Sequence, residues 1–196
     1  MPYWVQHAAA ILDSLTPVPI ARPIVLVGHS GAGPFLPAVR SRMLHPVQGY
    51  IFVDAHLPGR DGASRLERSP EAAERYRLRA NEGLLPIWTD LVGITREVLY
   101  ELIPDPVLQE RFVTELRPTP LAVYTEPLPV PLGWPDAPCG HLKFSPVYEP
   151  AAARARQGGW SCLELPGGHL QMLVQPTAVA NALMALVRMM GVLACS

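Results

Sequence analysis

Apolar residues recur along this 196-residue chain with two different periods. Near the start, Trp4, Ala8, Ile11, Leu12 and Leu15 follow helical spacing, which predicts a helix over 3–15 with one apolar face. Pro23 then leads into Ile24, Val25, Leu26 and Val27, an unbroken apolar run rich in β-branched side chains. Such a run predicts a strand covered on both faces, as in a parallel sheet. Small residues at 28–33 make a turn, and a helix is expected from there to about Leu44, with Pro37 distorting its first turns. Residues 49–53 repeat the buried-strand pattern and end at Asp54. Two strands joined by one helix of this length form a right-handed crossover.

Over 58–116 the pattern turns helical. Ser69-Pro70 is a cap and first-turn pair, and Thr95 and Asp105-Pro106 open two more helices. Much of the chain's proline then falls in 117–138, a stretch expected to exclude helix and central strand and to run as a long, stiff connection. Residues 139–144 read as a third strand, 149–156 as a helix and 161–165 as a fourth strand. Pro166-Gly167-Gly168-His169 follows as a loop, and Pro176 opens a final helix to about Met190. This order predicts one α/β domain over 1–196. Its core is an open, mainly parallel sheet of about four strands flanked by helices, with a helical cap insertion at about 58–120.

Composition narrows the function classes. Hydrophobic residues at 49% and charged ones at 17% describe a globular chain and exclude a disordered one. Sixteen basic side chains nearly cancel 17 acidic ones, so neither nucleic acid nor an anionic membrane surface is an expected partner. The most apolar run, 178–187, falls short of the ~18–20 residues that span a bilayer. No basic segment followed by an apolar stretch opens the chain, so no secretory leader is expected. Cys139, Cys162 and Cys195 have no metal-type spacing and read as free thiols. The expectation is a cytoplasmic protein with no cofactor and no metal.

The candidate chemistry lies at Gly28-His29-Ser30-Gly31-Ala32, between a buried strand and a helix. A serine hydroxyl is a weak nucleophile, needing exposure, a neighbouring base and donors for the oxyanion it creates. A sharp turn from strand into helix lifts the serine above the sheet edge, and crowding there demands small neighbours such as Gly28 and Ala32. The Gly31 amide then lies at a helix start, where an unpaired donor favours negative charge.

In these residues the chain resembles the α/β-hydrolase superfamily, whose nucleophile elbow has this form and place. The resemblance implies that His169, in the loop before the final helix, is the general base, and that 58–116 is the cap. It also implies an acid after the strand preceding the histidine strand, where this sequence has Ser145-Pro146-Val147-Tyr148-Glu149-Pro150 and no aspartate. Asp54 stands at the family's other acid position, the end of the strand after the elbow. Asp54 is therefore the expected acid, with Glu149 and Glu126 as alternatives. The implied activity is that of a carboxylesterase-like serine hydrolase acting on a small ester or related acyl substrate. The family carries about four strands before its elbow, but one helix precedes it here. The elbow strand is thus expected near an exposed sheet edge, without the loop that supplies a second oxyanion donor. Three accounts fit: a displaced start, a second copy covering the edge as a homodimer, or a reduced protein with little activity.

The remaining polar residues have plainer expected roles. His29 packs beside the serine, His141 is a satisfied core histidine, and His56 lies at the site rim within reach of substrate. Leu84, Leu85, Ile87, Trp88, Leu91 and Val92 pack among cap helices or line an acyl pocket. Two rival readings belong to other classes. One is a dinucleotide-binding βαβ unit with Asp54 on a ribose hydroxyl, although the glycine spacing departs from Gly-x-Gly-x-x-Gly. The other is a non-catalytic binding subunit.

Overall fold

The computed structural model describes residues 1–67 and 69–192. Helix α1 (Tyr3–Ser14) leads to strand β1 (Ile24–His29), a 3-10 segment (Ser30–Phe35), α2 (Leu36–Arg40) and β2 (Val47–Val53). The insertion follows as α3 (Pro70–Arg79), β3 (Leu84–Leu85), α4 (Trp88–Val92), α5 (Arg96–Leu102), α6 (Pro106–Glu115), β4 (Thr119–Pro120) and α7 (Ala122–Thr125). Strand β5 (Cys139–Lys143), α8 (Glu149–Gln157), β6 (Ser161–Glu164), α9 (Gln171–Val174) and α10 (Pro176–Met189) complete it. The main sheet runs β1-β2-β5-β6, every pair parallel. This is the predicted open α/β architecture.

Alternation along β2 builds two core layers. Tyr50 and Phe52 join Ala8, Leu36 and Val39 from α1 and α2, while Ile51 and Val53 join Leu142 and the α10 residues Val179 and Leu186. Side chains of a strand alternate faces, so β2 is sandwiched and reads as continuously apolar. The same expectation is corrected for β1. Leu26 is buried, but Val27 is 49% exposed, because β1 stands at the sheet edge, beyond the cover that α10 gives to Ile51. A smaller correction applies to α1, where Ala8, Leu12 and Leu15 meet the core and Ile11 faces solvent.

Three helix starts are capped as the sequence predicts: Ser69 accepts from the Ala72 amide, Thr95 from Val98, and Asp105 from Val107 and Leu108. The helix expected to reach Leu44 is shorter. Pro34 and Pro37 deny donors to its start, and after Arg40 the Ser41 hydroxyl bonds back to the Ala38 carbonyl while the chain continues in i+3 turns to Met43. The proline-rich stretch is not wholly irregular either. Its β4 pairs with β3 in a two-residue ribbon, α7 makes one helical turn, and Leu128 exchanges backbone bonds with Gly62 and Ala63. No helix among the described residues is long and apolar enough to cross a membrane.

Candidate active site

Strand β1 breaks into the 3-10 segment at Ser30, and the serine sits at φ +55°. L-residues enter this region only where their surroundings impose it. Two close approaches do so. A Cβ on Gly28 would stand 3.0 Å from the Gly33 Cα, and a Cβ on Gly33 would collide with the His56 carbonyl. Only small residues let the chain bend this sharply and lift Ser30 above the strand ends. The Gly31 amide follows in the first turn, where helical N–H groups have no intrahelical acceptor.

Asp54 follows β2 and also turns back, at φ +40°. Because His29 registers with Val53, Ser30 and Asp54 leave neighbouring strands side by side. The Asp54 side chain is fully buried, and both its oxygens are engaged. Oδ1 accepts from the Phe144 and Ser145 amides, each at 2.9 Å; Oδ2 accepts from Ser145 Oγ at 2.8 Å and from His169 Nδ1 at 2.7 Å. Burial works to raise its pKa, but the bonds from His169, the two amides and the Ser145 hydroxyl outweigh it and hold the carboxyl below its ordinary value.

His169 enters from the loop between β6 and α9. With Nδ1–H donating to a carboxylate, Nε2 is left as an acceptor, and it lies 2.9 Å from Ser30 Oγ. The serine hydroxyl donates to that nitrogen, so its own lone pairs are open to the Tyr148 hydroxyl at 3.2 Å. Tyr148 is buried and stacked on the His169 ring at 5.2 Å and 14°. Burial pushes its phenol pKa up, which keeps it a donor. His29 lies 4.5 Å from the His169 ring, and its Nε2–H donates to the His169 carbonyl at 3.0 Å. Burial, and then the charge of His169, lower the His29 pKa to about 4, so it is neutral near pH 7. The insertion closes over this group. Trp88 stands 6.1 Å from the His169 ring, and Leu102 packs on Gly168, where a Cβ would meet its Cδ2 at 2.9 Å.

The structure thus brings Ser30, His169 and Asp54 together and leaves the alternative acids elsewhere. Glu149 is paired with Lys143 and Arg156. Glu126 accepts from the Tyr3 and Trp4 amides at 2.8 and 2.5 Å, tying down the start of α1. His56 is exposed, 5.0 Å from the Tyr148 ring. His141 is buried, and its Nε2–H donates to the Ala55 carbonyl at 3.3 Å. Its Nδ1 has no protein partner, which corrects the expectation of a fully satisfied ring. Of the apolar cap residues, Leu85 and Leu91 are core, whereas Leu84 and Val92 are exposed. Cys139 and Cys162 are free thiols on paired strands, and Cys195 lies outside the described residues. Among the described residues no cluster of His, Cys, Asp or Glu could hold a metal ion.

Two residues at this site escaped sequence reasoning. Tyr148 lies in the very stretch searched for an acid, and a search for any hydroxyl would have met it. Arg65, in the loop before α3, lies against Gly31 so closely that a Cβ there would collide with its guanidinium. No local pattern marks it.

A profile described as "Alpha/beta hydrolase family" matches residues 3–182. No curated protein sequence matches the chain. Among solved structures, an extracellular alpha/beta-hydrolase from a Paenibacillus species superposes with a TM-score of 0.69 at 17% identity, covering 93% of this chain and 79% of that one. Its description reports structural and functional homology to tobacco Salicylic Acid Binding Protein 2. A methylesterase from Arabidopsis gives 0.64 at 15% identity, covering 95% and 78%. A variant of tomato methylketone synthase I gives 0.64 at 14% identity, covering 93% and 78%.

Proposed function

Since this chain belongs to the alpha/beta hydrolase family, we propose that it hydrolyses a carboxylic ester or related acyl substrate through Ser30, His169 and Asp54. The observation that carries this reading is the unbroken hydrogen-bond line from Ser30 Oγ to His169 Nε2, and from Nδ1 to Asp54. Esterases among the structural neighbours support it.

In this reading Ser30 Oγ attacks the ester carbonyl while His169 Nε2 takes its proton. Asp54 keeps the imidazole in the tautomer that can accept that proton, and stabilises the imidazolium. The carbonyl oxygen becomes an oxyanion, held by the Gly31 N–H and by the Tyr148 O–H, which is released from Ser30 Oγ as that oxygen forms its new bond. Tyr148 so stands as a second donor beside the Gly31 amide. Collapse of the tetrahedral adduct expels the alcohol, protonated by His169, and leaves an acyl-serine. Water, deprotonated by the same imidazole, then releases the acid and restores the hydroxyl.

The test is labelling by a fluorophosphonate together with turnover of p-nitrophenyl esters of increasing chain length. Ser30 is expected to be labelled, and Ser30→Ala to lose both labelling and turnover while keeping its melting temperature within a few degrees. Full activity in the Ser30→Ala enzyme overturns the mechanism. A folded wild type that neither labels nor turns over any ester favours the non-catalytic reading.

A further inference from the structure

Several cations of this protein meet carboxylates. Arg40 meets Asp136, Arg60 meets Glu67, Arg111 meets Glu115, and Lys143 meets Glu149 and Glu164. Arg65 does not. Its side chain runs inward from the loop before α3, half-buried, with its guanidinium 4.1 Å from the centroid of the Tyr124 ring and 5.2 Å from that of Phe35. Tyr124, Tyr76 and Tyr148 are its polar neighbours, and no carboxylate among the described residues lies within ion-pair distance. Desolvation lowers its pKa from the ordinary value, yet an arginine in a protein stays charged. Aromatic faces attract such a cation, but they do not neutralise it or fill its five fixed donors.

Its position gives this surplus charge a direction. The guanidinium occupies the space that any side chain at residue 31 would need, so the absence of a Cβ at Gly31 is what admits it. Gly31 follows Ser30 directly, and Tyr148, which bonds Ser30 Oγ, is among the groups Arg65 senses. An anion held on Arg65 therefore lies only a few bonds from a carbonyl under attack by Ser30. A planar guanidinium takes a carboxylate through two parallel hydrogen bonds, which fixes orientation as well as charge.

We propose that Arg65 is a substrate-binding residue and that the natural substrate is a short ester carrying a free carboxylate, of the kind represented by a monoester of a small dicarboxylic acid. The identity of the reaction rests on the hydrolase reading above; the anion subsite stands on Arg65 itself. The guanidinium draws the carboxylate of the substrate out of water, and the ester carbonyl is thereby set over Ser30 and the Gly31 amide. A neutral ester of equal length forgoes that anchor.

Two measurements test this and separate it from the hydrolase reading. First, ethyl hydrogen glutarate and its neutral counterpart ethyl pentanoate are compared by NMR-monitored hydrolysis. Wild type is expected to favour the acidic ester by at least about tenfold in kcat/KM. Arg65→Met is expected to erase that preference, mainly through KM, by lowering kcat/KM for the acidic ester by a larger factor than for ethyl pentanoate. Arg65→Lys, which keeps the charge but not the fork, should retain part of the preference and guards against a folding defect in the methionine variant. Second, glutarate is titrated into the Ser30→Ala protein by calorimetry, where binding should weaken with added salt and vanish in Ser30→Ala/Arg65→Met. No preference for the acidic ester, or equal loss on both esters, overturns the proposal; equal loss would assign Arg65 to the oxyanion or to cap packing. Absence of glutarate binding overturns it too. Arg65-dependent glutarate binding without any ester turnover would keep the anion site and discard the hydrolase.

Discussion

Replacing Asp54 with asparagine removes one charge and adds one pair of donors at a fully buried polar position. The carboxylate accepts four hydrogen bonds, two on each oxygen. An asparagine whose carbonyl takes the place of Oδ1 keeps the Phe144 and Ser145 amides. Its NH2 then faces the Ser145 hydroxyl, which can turn to accept, and His169 Nδ1, which can accept only as the other tautomer. That tautomer carries its proton on Nε2, facing Ser30 Oγ, so the serine has nowhere to send its own proton. The expected loss in kcat is roughly 10³–10⁴-fold, the scale known for tautomer-inverting changes in such triads. Three retained bonds weaken from charge-assisted to neutral, about 1 kcal/mol each, and the cheaper desolvation of an amide offsets part of this. A net destabilisation of about 1–3 kcal/mol is therefore expected. Steady-state kinetics on the best p-nitrophenyl ester and thermal denaturation measure both quantities. Glu149→Gln is the control: its carboxylate is occupied by Lys143 and Arg156, so it should leave kcat within about threefold. An Asp54→Asn enzyme holding more than a tenth of wild-type kcat, beside a Glu149→Gln enzyme that has lost it, would refute the reasoning.

Three further outcomes follow from the same geometry. Tyr148→Phe keeps the ring stacked on His169 and deletes only the hydroxyl, so kcat should fall about 10²-fold with little change in melting temperature; unchanged kcat would remove Tyr148 from the oxyanion site. His29 titrates near 4 when folded and near 6.5 when unfolded, so the unfolded chain binds the extra proton and stability should fall as pH drops from about 6.5 towards 4. His29→Asn should flatten part of that slope in urea titrations, His141 contributing in the same direction, and a slope unaltered by the substitution would contradict the assignment. Gly33→Ala drives a methyl group into the His56 carbonyl, and should cost about 1–3 kcal/mol in chemical denaturation; a neutral result would mean that the elbow yields freely.

Much of the fold was legible because its causes are short-range. Apolar runs with β-branched residues predicted β1 and β2, strands were expected at 139–144 and 161–165 as well, and Ser69, Thr95 and Asp105 announced helix starts through bonds that span two or three residues. The tight bend at 28–33 was readable for the same reason, since the Gly28–Gly33 approach lies within a few residues of chain. What depended on the sheet's lateral order was not. Val27 has the hydrophobicity of a core residue, and its exposure is decided by β1 standing at the edge. The two-residue β3–β4 ribbon exists through pairing across the insertion, not through any local preference of Leu84 or Thr119.

The site divides along the same line. The sequence by itself determined a serine on a strained strand–helix bend and a histidine in the loop before the last helix, because each is defined by its own neighbours. Which carboxylate lies against that histidine was a matter of three candidates that only tertiary structure separates: β2 lies beside β1, and Asp54 bonds His169 and the amides just past the end of β5, while Glu149 and Glu126 are drawn off by cations and by the start of α1. Tyr148 and Arg65 were invisible for the converse reason. Their significance lies wholly in what stands across from them, a hydroxyl oxygen and a missing Cβ. Such distances are fixed by the packing of elements remote in the chain, which periodicity and spacing do not encode.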